Sequence, residues 1–77
     1  MADWNEIIDR IYEACEPKDQ KDLSGMLGIF PSVVSRWRSA KRDKSYPSID
    51  VLIKVSELSG VTLDWLITGR EPKRRQE

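Results

Sequence analysis

The apolar residues of this chain recur every three or four positions in five short stretches, which polar residues, glycine or proline separate. That spacing puts apolar side chains along one face of a helix, and no stretch shows the strict alternation typical of a strand. The pattern therefore predicts an all-α fold of five helices, at residues 3–15, 20–27, 31–39, 49–59 and 63–68.

Residues suited to helix ends stand at the boundaries of these stretches. Side chains that can accept a hydrogen bond from free backbone amides precede four of the helices, at Asp3, Asp19, Ser48 and Thr62. The first helix is predicted to end at Glu16, because the following proline disfavours helical geometry in the residue before it. Three other helices end at a glycine, at Gly28, Gly60 and Gly69.

The apolar stripes of the first four helices are the predicted core. They comprise Trp4, Ile7, Ile8, Ile11, Tyr12, Leu23, Met26, Leu27, Val34, Trp37, Val51, Leu52, Val55 and Leu58. The tryptophans could instead form a stacking platform for single-stranded nucleic acid, but Trp4 and Trp37 lie on apolar helical faces, which favours core packing. In helix 63–68 apolar residues outnumber polar ones, and Trp65 beside Asp64 is predicted to be partly exposed.

Composition narrows the function. The chain has 77 residues, one cysteine and no histidine. This length allows one domain, and the residue types exclude an internal disulfide, a Cys/His zinc site and an imidazole base. No apolar run approaches the length of a membrane span or a signal peptide. We therefore expect a small cytoplasmic binding domain without enzymatic activity, metal or cofactor, in which Cys15 is a buried or half-buried thiol.

Positive charge is concentrated in the middle of the chain, although the 13 basic and 13 acidic residues cancel overall. Residues 36–46 hold five basic residues and one acidic residue, whereas residues 1–26 hold seven acidic and three basic residues. Such a run is either a solvated face or a surface that meets phosphates. The neutral total therefore does not exclude nucleic acid as a partner.

Two short predicted helices, joined by a turn at Gly28, come directly before this basic segment. The second carries serines and Arg36 on the side opposite Val34 and Trp37, and Ser24 is small where the two helices would cross. This order is typical of a helix-turn-helix, in which the second helix enters the major groove of DNA. The sequence predicts such a motif at about residues 20–39.

The same residues resemble a known family. The run QKDLSGMLGI at 20–29, followed by VSRW at 34–37, resembles the lambda-repressor-like helix-turn-helix family. The stretch VTLDWLITG at 61–69 resembles the end of the DNA-binding domain of bacteriophage CI-type repressors. The resemblance covers roughly residues 4–71, and it implies a five-helix domain that binds double-stranded operator DNA.

The resemblance also implies which side chains meet DNA. Base edges would be faced by Pro31, Ser32, Ser35 and Arg36. Phosphate contacts would come from Gln20, Ser39, Arg42, Lys44 and Ser45. Lys41 is a further candidate for a phosphate contact because of its positive charge. The Arg36 guanidinium could donate two hydrogen bonds to O6 and N7 of a guanine, or it could contact a phosphate or form a surface ion pair.

Position 30 departs from the family pattern, which places a serine or threonine cap there. The phenyl ring of Phe30 cannot accept a hydrogen bond from backbone amides. Either the ring packs over the turn, or Ser32 caps the helix and the helix begins two residues later. The second alternative would rotate the side chains that meet the groove.

These observations predict a phage or prophage transcriptional repressor that occludes RNA polymerase from an operator, acting in the cytoplasm of a bacterial host at its nucleoid. A small protein-interaction module, such as an antitoxin-like or anti-repressor adaptor, is the alternative, and the acidic first helix favours it slightly.

The DNA-binding domain is predicted to cover residues 1–69, and residues 70–77 to form an unpacked charged tail or the start of a linker. The chain is expected to self-associate weakly, and more strongly if a C-terminal domain follows in the full-length protein. Trp65 and Leu66 on helix 63–68 are the predicted dimer contact, because a helix-turn-helix needs two half-sites for useful specificity.

Overall fold

The structure is a computed structural model that describes residues 3–39 and 45–74. These residues form five helices and no strand, which confirms the predicted all-α class. The helices are α1 (Trp4–Cys15), α2 (Gln20–Leu27), α3 (Pro31–Arg36), α4 (Ile49–Ser59) and α5 (Leu63–Thr68). Only α3 differs from its predicted bounds by more than one residue, since it ends three residues early.

The predicted caps hold the helix ends. Each N-cap side chain accepts a hydrogen bond from a backbone amide in its helix's first turn, at Asp3, Asp19, Ser48 and Thr62. The three predicted glycines end α2, α4 and α5 with positive φ angles, which L side chains rarely adopt. Glu16 ends α1 in the same left-handed region, at φ 49°, and its N–H donates to the Tyr12 carbonyl.

One apolar core joins all five helices. Its buried side chains are Ile7, Ile8, Ile11, Leu23, Leu27, Val34, Trp37, Val51, Leu52, Val55, Val61, Trp65 and Leu66. Trp37 is completely enclosed at the end of α3. The core therefore fixes α3 against the rest of the domain through Val34 and Trp37.

Two predicted core positions are wrong. Trp4 is 36% exposed, and its ring lies against the exposed ring of Tyr46 with a centroid distance of 5.2 Å. Leu58 is 49% exposed because the inward position of the last turn of α4 belongs to Ser56, whose hydroxyl donates to the Val61 carbonyl. Met26 is half-buried at the edge of the α2 stripe.

The prediction that α5 offers spare apolar surface at Trp65 and Leu66 is also wrong. Trp65 is 8% exposed and Leu66 is fully buried, so both side chains belong to the core of the single chain. Arg10 of α1 donates from Nε to the Leu66 carbonyl at 2.7 Å and from a terminal nitrogen to the Ile67 carbonyl at 2.9 Å. These bonds satisfy carbonyls at the end of α5 and hold that helix against α1.

The segment after Gly69 packs back on the domain at residues 72–74, and for these residues its predicted unpacked character is wrong. The Lys73 carbonyl accepts from the Thr62 amide at 2.8 Å, and the Lys73 ammonium lies 4.9 Å above the Trp65 ring. The same ammonium pairs with Glu13 at 3.3 Å, and Arg74 donates to the Ser59 carbonyl at 2.7 Å. These contacts cover Trp65, and the last three residues of the tail or linker predicted at 70–77 lie outside the described residues.

Within the two described ranges, no helix has the length and apolar character that crossing a membrane requires.

Candidate nucleic-acid interface

The turn between α2 and α3 has the geometry of a helix-turn-helix. Gly28 ends α2 at φ 70°, and the Ile29 amide donates to the Ser24 carbonyl at 3.0 Å. Ser24 is buried, and its hydroxyl donates to the Lys21 carbonyl. A small side chain whose hydroxyl proton is hydrogen-bonded therefore lies between α2 and α3. Only residues 28–30 therefore separate the two helices, and α3 is held against α2.

The start of α3 follows neither alternative set out for Phe30. The helix begins at Pro31, its N-cap is Phe30 without any side-chain cap, and the phenyl ring is 77% exposed. Ile29 and Val34 occupy the two positions that a hydrophobic staple pairs, and both pack against or within the core. The Phe30 ring is therefore exposed and does not pack in the core. Because α3 begins at Pro31, the side chains on its outward face are those that a start at Pro31 predicts.

Gln20 joins the beginnings of the two motif helices. Its side-chain amide donates to the Pro31 carbonyl at 3.3 Å. This contact brings together the N-terminal ends of α2 and α3 on an exposed surface. Its other amide hydrogen and its side-chain oxygen have no partner among the described residues, so they remain able to bind a ligand.

Two serines face outward from α3 with different hydrogen-bonding capacity. The Ser35 hydroxyl donates to the Ser32 carbonyl at 2.9 Å, one turn back along the helix. Its proton is therefore used within the helix, and its oxygen is left as an acceptor. Ser32 is exposed, and its hydroxyl has no partner among residues 3–39 and 45–74. The predicted base-contacting serines thus lie side by side, one an acceptor and the other both donor and acceptor.

Arg36 and Arg38 have opposite surroundings. Arg36 is half-buried, its Nε is enclosed without a hydrogen-bond partner, and no carboxylate of the described residues pairs with it. Arg38 forms an ion pair with Asp9 of α1 and lies 5.9 Å above the Tyr12 ring. Arg38 is therefore occupied within the fold, whereas the guanidinium of Arg36 has no partner among the described residues.

The two flanks of the basic loop are attached to the end of α3. The Arg36 carbonyl accepts from the Ser39 amide at 3.2 Å and from the Ser45 amide at 3.1 Å. The Ser45 hydroxyl donates to the Val33 carbonyl at 3.4 Å, so a phosphate contact through that proton would replace this bond. The predicted phosphate-contacting residues Lys41, Arg42 and Lys44 lie outside the described residues, and Ser39 and Ser45 are held beside Arg36.

Cys15 is half-buried against the core, and burial raises the pKa of its thiol, which keeps the sulfur protonated. Nowhere in residues 3–39 and 45–74 do three Cys, Asp or Glu side chains converge to hold a metal ion. A shallow hollow lies on α2 and the two residues before it, and it is lined by Lys18, Asp19, Lys21, Asp22, Gly25 and Met26.

Sequence reasoning missed one exposed feature and one internal contact at this surface. Neither alternative for Phe30 predicts an exposed ring, and the signal that could have identified it is that Ile29 and Val34 already occupy the two staple positions. The Arg38 pairing with Asp9 had no signal in the sequence, because 29 residues separate the two.

Comparison with known proteins agrees with this geometry. A model of the bacteriophage CI repressor helix-turn-helix domain family matches residues 6–74. A Haemophilus influenzae protein described as an uncharacterized HTH-type transcriptional regulator is 38% identical over 52 residues, which cover 65% of this chain and 20% of that protein. The chain thus spans about a fifth of the length of this relative. No solved structure matches the chain.

Proposed function

The chain belongs to the bacteriophage CI repressor helix-turn-helix domain family, and from that premise we propose that it represses transcription by occupying a phage or prophage operator. The observation that carries the proposal is the outward face of α3. This face presents Pro31, Ser32, Ser35 and Arg36 beside Gln20, on a helix whose other side is fixed in the core by Val34 and Trp37. A rigid, polar helix surface is what major-groove recognition needs.

In this proposal α3 enters the major groove and its side chains meet base edges. Arg36 donates two hydrogen bonds to one guanine, which contributes about 1–3 kcal/mol of discrimination between bases. The acceptor-only Ser35 favours an amino group, which cytosine and adenine present in that groove. Pro31 contributes apolar contact, and Ser32 discriminates least because its hydroxyl both donates and accepts.

Phosphates on either side would hold the domain in register. Gln20 has donors to offer at the start of α2, while Ser39, Lys41, Arg42, Lys44 and Ser45 would contact the backbone near the end of α3. No charged residue occurs from Leu23 to Ser35, so no acidic side chain of that segment opposes the DNA. The neutral total charge of the chain is therefore compatible with a local attraction for DNA.

Repression follows from occupancy in this proposal. A bound domain excludes RNA polymerase from an overlapping promoter and performs no chemistry. The protein would act at the nucleoid of a bacterial host. In a full-length protein as long as the Haemophilus influenzae relative, the other four fifths would supply any stronger oligomerisation.

Weak self-association would join two such domains on neighbouring half-sites. Because Trp65 and Leu66 are core residues, we assign the contact to four other apolar side chains that are exposed, Trp4, Tyr46, Ile49 and Ile53. Trp4 lies against Tyr46, and Ile49 and Ile53 are one turn apart on α4. Four partly exposed side chains fall well short of the roughly 800 Å² per partner of a stable interface, so we expect a monomer in dilute solution.

Sedimentation across a wide range of concentrations tests this contact. Ile49→Asp should abolish the concentration-dependent dimer, and Leu58→Asp, which changes a 49% exposed leucine near the other end of α4, should leave it intact. A dimer unaffected by the Ile49 change would refute the assignment.

Binding to DNA is tested by site selection from random duplexes, followed by affinity measurements at several salt concentrations. Replacing Lys41, Arg42 and Lys44 together by glutamine should weaken binding to all sequences alike. The slope of log affinity against log salt should fall by roughly 0.9 for each phosphate contact removed. As a matched control, Lys54, Arg70 and Arg75, which lie outside the helix-turn-helix in the sequence, are replaced by glutamine and lose the same charge with a smaller change in slope. Absence of binding at any salt would refute the proposal and leave the protein-interaction module as the remaining reading.

A further inference from the structure

Phe30 is the most exposed large apolar side chain of the described residues, at 77%. Its backbone is nevertheless well fixed: the residue is extended at φ −74°, ψ 144°, and its carbonyl accepts from the Val33 amide at 3.0 Å. Pro31 further restricts the residue that precedes it. The ring is therefore presented to the outside from a rigid position at the entry of α3.

This position adjoins the surface proposed to meet DNA. The Gln20 amide that donates to the Pro31 carbonyl brings the start of α2 next to Phe30 and Pro31. In a helix-turn-helix the first residues of the second helix reach base edges. A phenyl ring at this point has no group that can bind a phosphate or form a hydrogen bond with a base.

Only one base edge in the major groove offers an apolar group, the C5-methyl of thymine. We propose that Phe30 recognises a thymine in each operator half-site through this methyl group, with the Pro31 ring as the neighbouring apolar surface. The inference rests on the proposed function, since it requires α3 to enter the major groove. It makes Phe30 a specificity-determining residue, in addition to the polar side chains of α3.

The same geometry orders the half-site. Six residues separate Phe30 from Arg36, a rise of about 9 Å along an α-helix. One base pair rises 3.4 Å, so a helix lying along the groove puts the two side chains roughly two to three base pairs apart. The thymine read by Phe30 and the guanine read by Arg36 should therefore be separated by that distance in the selected sequence.

Deoxyuridine substitution gives the direct test, because it removes only the methyl group of thymine. Each thymine of a selected operator duplex is replaced singly, and the affinity of the 77-residue chain is measured. Loss of one buried methyl corresponds to about 0.8 kcal/mol, so one position per half-site should lose about fourfold in affinity. With Phe30→Ala the thymine duplex should bind more weakly and the uracil effect at that position should disappear. Phe30→Leu should retain part of it.

Leu58→Ala serves as the matched control, because Leu58 is a 49% exposed apolar side chain near the end of α4 that the proposal places in no contact. This variant should keep the full uracil effect. Phe30→Ala should also keep the wild-type melting temperature, since the ring packs on nothing inside.

A uracil effect of equal size in the wild type and in Phe30→Ala at every thymine would overturn the inference. So would a loss in Phe30→Ala that is the same on operator and random DNA. If the wild-type chain bound no DNA, the proposed function itself would fail, which is a distinct result.

Discussion

Replacing Arg36 and Arg38 separately by methionine should separate DNA recognition from domain stability. Both changes remove one positive charge and retain the apolar part of the side chain. The two residues stand two positions apart at the end of α3, so any general electrostatic effect on DNA is nearly matched. They differ in what they contact, because Arg38 pairs with Asp9 and covers the Tyr12 ring, whereas Arg36 has no such partner.

The expected magnitudes follow from those contacts. The Arg38–Asp9 pair is exposed on both sides and contributes about 0.2–1 kcal/mol to the free energy of unfolding. The exposed cation–π contact with Tyr12 adds about 0.5–1 kcal/mol. Arg38→Met should therefore cost about 1 kcal/mol of stability and leave the preference for operator over random DNA unchanged.

Arg36→Met should behave in the opposite way. Losing a bidentate contact with guanine costs about 1–3 kcal/mol, which is about 5-fold to 150-fold in operator affinity. Stability should not fall, because the change removes an enclosed Nε that has no hydrogen-bond partner.

Two measurements decide between these expectations. Dissociation constants are determined for operator and random duplexes at one salt concentration, and urea unfolding gives the free energy of unfolding for each variant. If Arg36→Met weakened operator and random DNA by the same factor, Arg36 would be a phosphate contact. If both variants lost operator affinity equally, the assignment of recognition to one of these arginines would be wrong.

Three further predictions concern stability. A Cβ at Gly25 would contact nothing within 4 Å, so Gly25→Ala should raise the free energy of unfolding by about 1 kcal/mol. Gly28→Ala should lower it by about 1–2 kcal/mol, because the φ angle of 70° is unfavourable for alanine, and thermal unfolding of both variants checks the opposite signs. Arg10→Met removes two charged hydrogen bonds to the end of α5 and should cost about 2–3 kcal/mol, with Arg70→Met as an exposed control and urea unfolding as the measurement. Burial raises the pKa of the Cys15 thiol, so the unfolded chain loses that proton first and stability should fall as the pH rises above about 8.5; a wild-type curve parallel to that of Cys15→Ser across this range would contradict it.

The helices and their ends could be read from the sequence because their determinants are local. An N-cap such as Asp19 needs an amide three residues away, and Gly28 needs only its own backbone freedom. The helix-turn-helix followed from the same local signals together with the resemblance of residues 20–37. The residues on the outward face of α3 could be identified for that reason, while their contacts with DNA remain predictions.

Burial of particular side chains required the tertiary structure. All three tryptophans lie in helical patterns, but Trp37 is enclosed, Trp65 is covered by Lys73 and the segment after Gly69, and Trp4 stays partly exposed against Tyr46. Helical periodicity shows which side of a helix is apolar, and it does not show whether another part of the chain covers that side. The predicted dimer contact at Trp65 failed for this reason.

The sequence by itself thus determined the number of helices, their order, their caps and the helix-turn-helix, since each depends on residues within one or two turns of one another. Tertiary structure alone decided that residues 72–74 contact Ser59, Thr62 and Trp65, that Asp9 pairs with Arg38 and leaves Arg36 without a partner, and that Phe30 faces outward. Those outcomes depend on contacts between segments far apart in the chain. Such contacts form where distant surfaces fit and bury apolar area together, which no short-range pattern specifies.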